Sequence, residues 1–452
     1  MKNKDGKVTK LFYLVYSLPV VGYGLVVALL GYVSYFAMNV LGLPALLVGN
    51  LILASKIFDG VTDIIGGFII DHTHTRFGKA RPYDWAYVGF CLAALMFFCI
   101  PRMERVATAI CVFLIYTLIY SVFQTLYSCA QAVYLVRTVS DPEQQVKVNV
   151  VSMLVGTICA IIAGIMIPLA IANAGTDPAV WRMFAFAICI PSAIICAVRF
   201  FIIKENEITE EQKKAEESIP FREGIALLAK NKYVLIIALA LLVTNIATNL
   251  VAVNPFYFEH VVGDISQQGI VNALAAVGPL SIIFFPTLSK KLGKKRFISF
   301  ALILGIIGKL LPLLAPKSIV LLSVGGALGT LGYMPIYVLA VNMIIDCMDY
   351  GQWKFGKRGE AIYSCISGFC SKVGTGLGNW VVGFGMMLGG FISGAVSQSE
   401  AAVSSIIILY TVVPAAMYLI AAVTMHFYKV DDLLPQIREA LGKIRKWKQC
   451  DI

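Results

Sequence analysis

The chain has 452 residues, of which 59% are hydrophobic and only 14% charged. Soluble domains carry roughly 25% charged residues, so a water-solvated globule is excluded and a polytopic membrane protein is indicated. The formal net charge of +11 does not signal nucleic-acid binding, because Lys and Arg gather in alternate connections between apolar runs, as the positive-inside rule describes.

Runs of about 20 apolar residues are long enough to cross a bilayer as helix. In chain order they fall near 11–38, 44–70, 85–101, 107–136, 148–174, 180–203, 233–260, 267–289, 297–316, 318–348, 361–394 and 401–428. Backbone in lipid must satisfy its own hydrogen bonds. The expectation is therefore an all-α integral membrane protein with twelve transmembrane helices, read below as spans 1 to 12.

The basic connections hold Lys2, Lys4, Lys7 and Lys10, then Arg76, Lys79 and Arg81, then Arg137 and Lys147, then the 204–232 segment. They continue with Lys290 to Arg296, with Lys354, Lys357 and Arg358, and with the C-terminal tail. The alternating connections hold Arg102, Arg105, Arg182 and Lys317. That bias puts both termini in the cytoplasm. The opening MKNKDGKVTK is charged, but the run after it is too long for a signal-peptide core. The eleven cysteines lie mostly alone inside apolar runs without a CxxC, as expected of small core residues rather than disulfides or metal ligands.

Residues 204–232, KENEITEEQKKAEESIPFREGIALLAKNK, form the one long polar break. The expected layout is a six-helix bundle over 1–203, a cytoplasmic linker over 204–232, a second bundle over 233–429 and a cytoplasmic tail over 430–452. FGKAR (Phe77 to Arg81) follows span 2 and LGKKR (Leu292 to Arg296) follows span 8, the same place in each half, which supports pseudo-symmetric halves. Pro19 with Gly22, Asn254 with Pro255, and Gly374, Gly376 and Gly378 interrupt spans 1, 7 and 11. They serve either close helix packing or bending during a conformational cycle.

Span 2 carries KIFDGVTD, in which Lys56, Asp59 and Asp63 share one helix face. A carboxylate in the bilayer is costly unless something binds it, and two on one face repel if both are ionised. The expected relief is a small cation, Na⁺ or H⁺, held by Asp59 and Asp63 with a hydroxyl oxygen from Thr62. The competing reading is a static ion network with Lys56. Lys372 inside span 11 is a second embedded charge, a partner for these acids or for an anionic substrate. Lys309 in span 9 is expected to snorkel.

The loop after span 2 holds Asp71, Arg76, Lys79 and Arg81, and the loop after span 10 holds Asp346, Asp349, Lys354, Lys357 and Arg358. Both are candidate cytoplasmic gate elements, with plain topology signalling as the alternative. His72 and His74 are expected to be solvated loop residues. No Walker loop, GxSxG or HExxH is visible, so the chain is not expected to be an enzyme, and any uphill movement must draw on a gradient.

FDxxxD in span 2, followed by D-x-x-x-x-R-x-G-K-x-R-P, spans Asp59, Asp63, Asp71, Arg76, Gly78, Lys79, Arg81 and Pro82. Asp349, Tyr350, Gly351 and Trp353 supply a second motif, with Glu360 and Lys372 beyond it. Together they resemble the glycoside–pentoside–hexuronide:cation symporters, a melibiose permease-like branch of the major facilitator superfamily, along essentially the whole chain. The resemblance implies the major facilitator fold and secondary active uptake of a small molecule by alternating access in a bacterial-type cytoplasmic membrane. It implies Na⁺ or H⁺ at Asp59 and Asp63, the neighbouring amide of that site at Thr62, and coupling roles for Lys56 and Lys372. No further cofactor and no nucleic acid are expected, and the partners are the lipid bilayer and the substrate of a protein acting as a monomer.

The sugar side departs from that pattern. The family's span-1, span-4 and span-5 charges fall near Tyr23, Cys129 and Asn149 here, so all three are missing. Tyr13, Tyr16, Tyr23, Gln124, Tyr127, Gln131 and Tyr134 remain to line the cavity or to pack the bundle. The expected substrate is a glycoside, hexuronide or related solute. The alternatives are exchange or uniport of a non-sugar, anionic or aromatic solute and, from another class, a sensor that binds without transporting.

Overall fold

The computed structural model describes residues 9–71, 73, 75–139, 141–172, 174–205, 228–276, 278, 281–355, 360–395, 397–437 and 439–440. His72, His74, Lys357, Arg358, most of the 204–232 linker and the end of the tail lie outside the described residues. Asp63, Asp71 and Glu360 are described by backbone alone.

Helix occupies every apolar run, and the described residues contain no strand. α1 (Lys10–Leu30) opens at Thr9, whose hydroxyl oxygen accepts the Phe12 N–H, and the chain runs on through Val33–Tyr35 to a π-helical turn over Phe36–Val40. α2 (Ala45–Asp71) and α3 (Asp84–Phe98) follow. α4 (Arg105–Thr117) passes through a π-helical turn, Leu118–Gln124, into α5 (Thr125–Thr138). α6 (Pro142–Ala172) and α7 (Pro178–Ile202) complete the first half.

In the second half α8 (Lys232–Asn249) ends in a 3₁₀ turn over Leu250–Val253, and helix restarts at Asn254–Tyr257, where Pro255 supplies no N–H. α9 (Gln267–Ala275), α10 (Phe285–Leu292), α11 (Lys294–Leu310), α12 (Ile319–Phe355) and α13 (Glu360–Leu388) follow, and α14 (Glu400–Tyr410) and α15 (Val412–His426) form the last run. Among the described residues, 8 helices are individually long and apolar enough to cross a membrane. Ile57, Leu114, Met166, Ile194, Leu314 and Phe369 are exposed; an apolar exterior of this kind is solvated by lipid.

Contacts divide the chain into two compact units. One gathers Met1–Lys213, Ala252–Ala273 and Asn379–Ile406; the other gathers Lys214–Val251, Leu274–Gly378 and Ile407–Ile452. In the first, α1 lies along α6 and α7, and α3 lies along α7. A Cβ on Gly22 would stand 2.6 Å from Cys196 Sγ and 2.8 Å from the Ser192 carbonyl oxygen, so α1 and α7 meet backbone to backbone. The Asn39 amide donates to Glu259 Oε2 at 3.1 Å, the Trp380 indole N–H to Asn50 Oδ1 at 3.0 Å, and the Ser393 hydroxyl to the Leu43 carbonyl at 2.8 Å. These bonds fasten 252–273 and 379–406 to α2 and to the segment over residues 36–44 that precedes it.

In the second unit α11 packs along α12 and α15, and α8 along α15. A Cβ on Gly378 would sit 2.8 Å from Asn249 Cβ and 2.9 Å from the Ile246 carbonyl oxygen. Close packing therefore accounts for Gly22 and Gly378 among the residues that interrupt spans.

Candidate functional site

α2 brings Lys56 and Asp59 together inside the first unit. Lys56 Nζ donates to Asp59 Oδ2 at 3.0 Å, with the side chains 6% and 2% exposed. The i, i+3 spacing places both on one face, and Asp63 follows Asp59 by one turn of the same helix. The Lys56 ammonium also lies 3.7 Å from the Tyr120 ring centroid and 5.4 Å from that of Tyr116. Tyr120 belongs to the π-helical turn Leu118–Gln124, where an extra residue in the turn changes which side chains face α2. Thr62 donates its hydroxyl hydrogen to the Asp59 carbonyl at 3.1 Å, so only its lone pairs remain for an ion. Thr117 donates to Ser55 Oγ at 3.0 Å and ties α4 to the buried segment of α2.

Two further polar atoms on the π-helical turn, Ser121 Oγ and Gln124 Oε1, are buried with no hydrogen-bond partner among the described residues. Gln124 was expected in the substrate cavity, and Ser121 was not. Buried polar atoms are almost always satisfied, so the two are an exception to that rule on one turn.

A second buried ion pair, absent from the sequence reading, joins α3 to α7. Arg199 Nε lies 3.0 Å from Asp84 Oδ1 and 3.2 Å from Oδ2, and its Nη2 also contacts Oδ1. Both side chains are 2% exposed. Arg199 Nη1 donates to Gln131 Oε1 at 3.0 Å, Tyr87 donates to the same oxygen at 3.2 Å, and Gln131 Nε2 donates to the Tyr16 hydroxyl at 3.2 Å. The guanidinium carbon stands 4.5 to 5.3 Å from the rings of Tyr134, Tyr16 and Tyr87. Tyr16 and Gln131, both cavity candidates from the sequence, are thus members of this ion-pair network, and Tyr16 is fully buried.

The rings continue from one pair toward the other. Tyr87 stacks on Tyr127 at 4.3 Å, Tyr23 meets Tyr127 at 4.9 Å and Phe90 at 5.0 Å, and Phe90 meets Tyr120 at 6.5 Å. Tyr23 and Cys129 are half-buried, Tyr127 is 9% exposed, and Asn149 on α6 is exposed. Cys129 is a free thiol.

Among the described gate candidates, Arg76, Lys79 and Arg81 make contacts inside their own unit. Glu205 accepts the backbone N–H groups of Lys79 at 3.0 Å and Ala80 at 2.8 Å, accepts that of Arg81 as well, and faces Arg137 Nη1 at 3.6 Å. Arg81 directs Nε and Nη2 to the Phe200 carbonyl at 2.8 and 2.6 Å, and Arg76 covers the Phe77 ring at 4.7 Å. In the other unit Asp431 accepts the Lys295 backbone N–H at 2.9 Å, and Lys295 Nζ donates to the His426 carbonyl at 2.6 Å. The two basic loops that repeat in sequence are thus each gripped by an acid that follows the last helix of its own half. Lys294 pairs with Asp346, Asp349 and Lys372 are half-buried, and Lys309 Nζ lies 5.3 Å from the Tyr410 ring.

Residues 15–432 match the model of a family described as MFS/sugar transport protein. The chain belongs to this family. It is 29% identical to an isoprimeverose transporter of Lactiplantibacillus pentosus over 419 residues, 90% of this chain and 85% of that one. It is 24% identical to a putative glycoside/cation symporter of Escherichia coli, covering 91% and 92% of the two chains. Among solved structures, the D-xylose-proton symporter superposes with a TM-score of 0.63 at 16% identity, covering 92% of this chain and 97% of the other. The nucleoside transporter NupG gives 0.63 at 15% identity, with 92% and 98% covered. The resemblance read from the span-2 motif holds: the chain is a multi-pass membrane transporter for a small molecule, of all-α major facilitator fold, and not an enzyme.

Proposed function

We propose that the chain is a secondary active symporter that carries a glycoside, hexuronide or related small solute into the cell by alternating access, coupled to Na⁺ or H⁺ at Asp59 and Asp63. The observation that carries this reading is the buried Lys56–Asp59 pair, one helical turn from Asp63, inside an apolar helix. One lysine cannot balance two aspartates, and a bilayer-embedded site disfavours a net charge, so the site has room for a cation. By linkage, a cation that aids substrate binding is itself bound more tightly when substrate is present. The relatives' names, which include an isoprimeverose transporter, a lactose permease and a raffinose carrier, support a glycoside as the solute class.

Gln124, with its buried acceptor, and the rings of Tyr23 and Tyr127 offer a neutral hydrogen bond and stacking faces of the kind that bind a sugar ring. Lys372 serves the coupling from α13. The protein works as a monomer in the cytoplasmic membrane with both termini inside, and the loops around Arg81 and Asp349 hold the cytoplasmic side.

The test is transport in proteoliposomes. Asp59→Asn and Asp63→Asn should each abolish gradient-driven accumulation while leaving sugar counterflow. Accumulation that survives in both variants would show that the coupling ion binds elsewhere, and a wild type that only equilibrates its solute whatever the Na⁺ or H⁺ gradient would instead be a uniporter with a static Lys56–Asp59 pair.

A further inference from the structure

We propose that Glu259 is the keystone of a latch between the ends of spans 1 and 7, and that the latch parts in each transport cycle. The latch lies outside the coupling site and rests only on the alternating access proposed above. Span 1 ends in the π-helical turn Phe36–Val40, and span 7 ends in another over Phe258–Val262. The same dipeptide stands at the start of both, Tyr35–Phe36 and Tyr257–Phe258. A glycine in the left-handed region follows each, Gly42 at φ +77° and Gly263 at φ +94°. In each turn a backbone N–H five residues on bonds the Phe carbonyl, Leu41 to Phe36 at 3.0 Å and Gly263 to Phe258 at 2.9 Å. π-Helical turns are rare and gather at functional sites, so a matched pair in the two expected halves is a repeat of a kind that marks function.

Glu259 joins the two turns. Its Oε2 accepts the Asn39 amide at 3.1 Å, and its carboxylate is also hydrogen-bonded to the Tyr35 hydroxyl. A carboxylate acceptor makes these bonds charge-assisted. His260 Nε2 stands 3.5 Å from the same oxygen, but it sits on the same turn and moves with Glu259. The first turn is fixed from its own side, since Arg102 Nε donates to the Val40 carbonyl at 2.5 Å. Arg102 belongs to one of the connections with few basic residues, which places the latch at the non-cytoplasmic end. Residues 252–273 belong by sequence to the second expected bundle, yet their contacts group them with 1–213. Opening that end separates the bundles and breaks the bonds of Glu259 to Asn39 and Tyr35. The Glu259 side chain is 33% exposed, so it stands at the edge of the contact, where water takes over as donor once the turns part.

Hydrogen exchange on the full-length transporter in lipid nanodiscs reads the two turns without any solute. E259L and N39L should each speed exchange about tenfold or more over both 36–43 and 258–264, because a charge-assisted bond is lost. E259Q keeps an oxygen acceptor and should fall between wild type and E259L. Acceleration confined to the turn that carries the substitution overturns the tie. N39C/E259C, joined by a short bis-methanethiosulfonate, should exchange more slowly in both turns than its reduced form; equal rates would show turns that never part and overturn the latch. Counterflow in proteoliposomes then reads function, with isoprimeverose, lactose and raffinose, the sugars named for its relatives, as probes. The joined variant should lose sugar exchange and regain it on reduction, with wild type, N39C and E259C given the same reagent to set the background of the native thiols. Undiminished exchange by the joined protein refutes the proposal, since a static contact tolerates a tether. A wild type that exchanges none of these sugars refutes the solute reading, and the latch is then judged on hydrogen exchange. Neither readout needs an ion gradient, so the outcome is independent of the coupling test at Asp59 and Asp63.

Discussion

Asp84→Asn isolates the worth of the buried ion pair between α3 and α7. The substitution preserves shape and removes one charge, leaving Arg199 at 2% exposure without the carboxylate that meets it at 3.0 and 3.2 Å. Removing one partner of a buried pair costs about 3–5 kcal/mol, because the remaining charge is desolvated and unbalanced. Gln131 and the three surrounding tyrosine rings contact the guanidinium in both proteins, and the Asn oxygen still accepts one bond. The loss should therefore fall near the lower end, about 3 kcal/mol. Asp84→Leu combined with Arg199→Met removes both charges and should recover most of it, since apolar replacement of a whole buried pair is often neutral. The assay is reversible denaturation in mild detergent followed by tryptophan fluorescence. The reasoning is refuted if D84N lies within about 1 kcal/mol of wild type, or if the double variant is no more stable than the single.

Two other perturbations follow from the packing. Glu205→Gln weakens an acceptor that serves the backbone N–H groups of Lys79, Ala80 and Arg81; a loss of about 1–3 kcal/mol should appear as faster hydrogen exchange confined to residues 75–81. Gly22→Ala should destabilise by about 1–3 kcal/mol through overpacking, read as a lower Tm. Adding Cys196→Ala should not restore stability, because the Ser192 carbonyl at 2.8 Å cannot move away as a thiol can.

The sequence disclosed what depends on local pattern. Apolar length located the spans, and the i, i+3 spacing anticipated the Lys56–Asp59 contact that the structure shows at 3.0 Å. The FGKAR and LGKKR repeat was legible as symmetry. Its acids, Glu205 and Asp431, were not, because each sits more than a hundred residues from the loop it grips. Asp84 and Arg199 were hidden for a similar reason. They are 115 residues apart, and each lies near the end of an apolar run, where a charge reads as a boundary marker. Tyr120 was missed because the π-helical turn that sets its direction leaves no signature in residue types.

The two buried pairs in the first unit are chemically unlike, and the difference decides which one can exchange an ion. Arg199 meets both oxygens of Asp84 through a planar fork and donates a further bond to Gln131. A guanidinium so held keeps its proton, and its bidentate geometry has no intermediate in which a smaller ion replaces one contact. Its place at the start of α3 and the end of α7 suits a pin between helices. Lys56 is a point charge on a flexible stem, attached to one side of Asp59 and resting on a ring. A shift toward Tyr120 would loosen the contact to Asp59 and keep the ammonium on the ring, which is the geometry the proposed sharing of Asp59 with Na⁺ or a proton calls for. That asymmetry, rather than burial alone, is why the coupling role is proposed for Asp59 and not for Asp84.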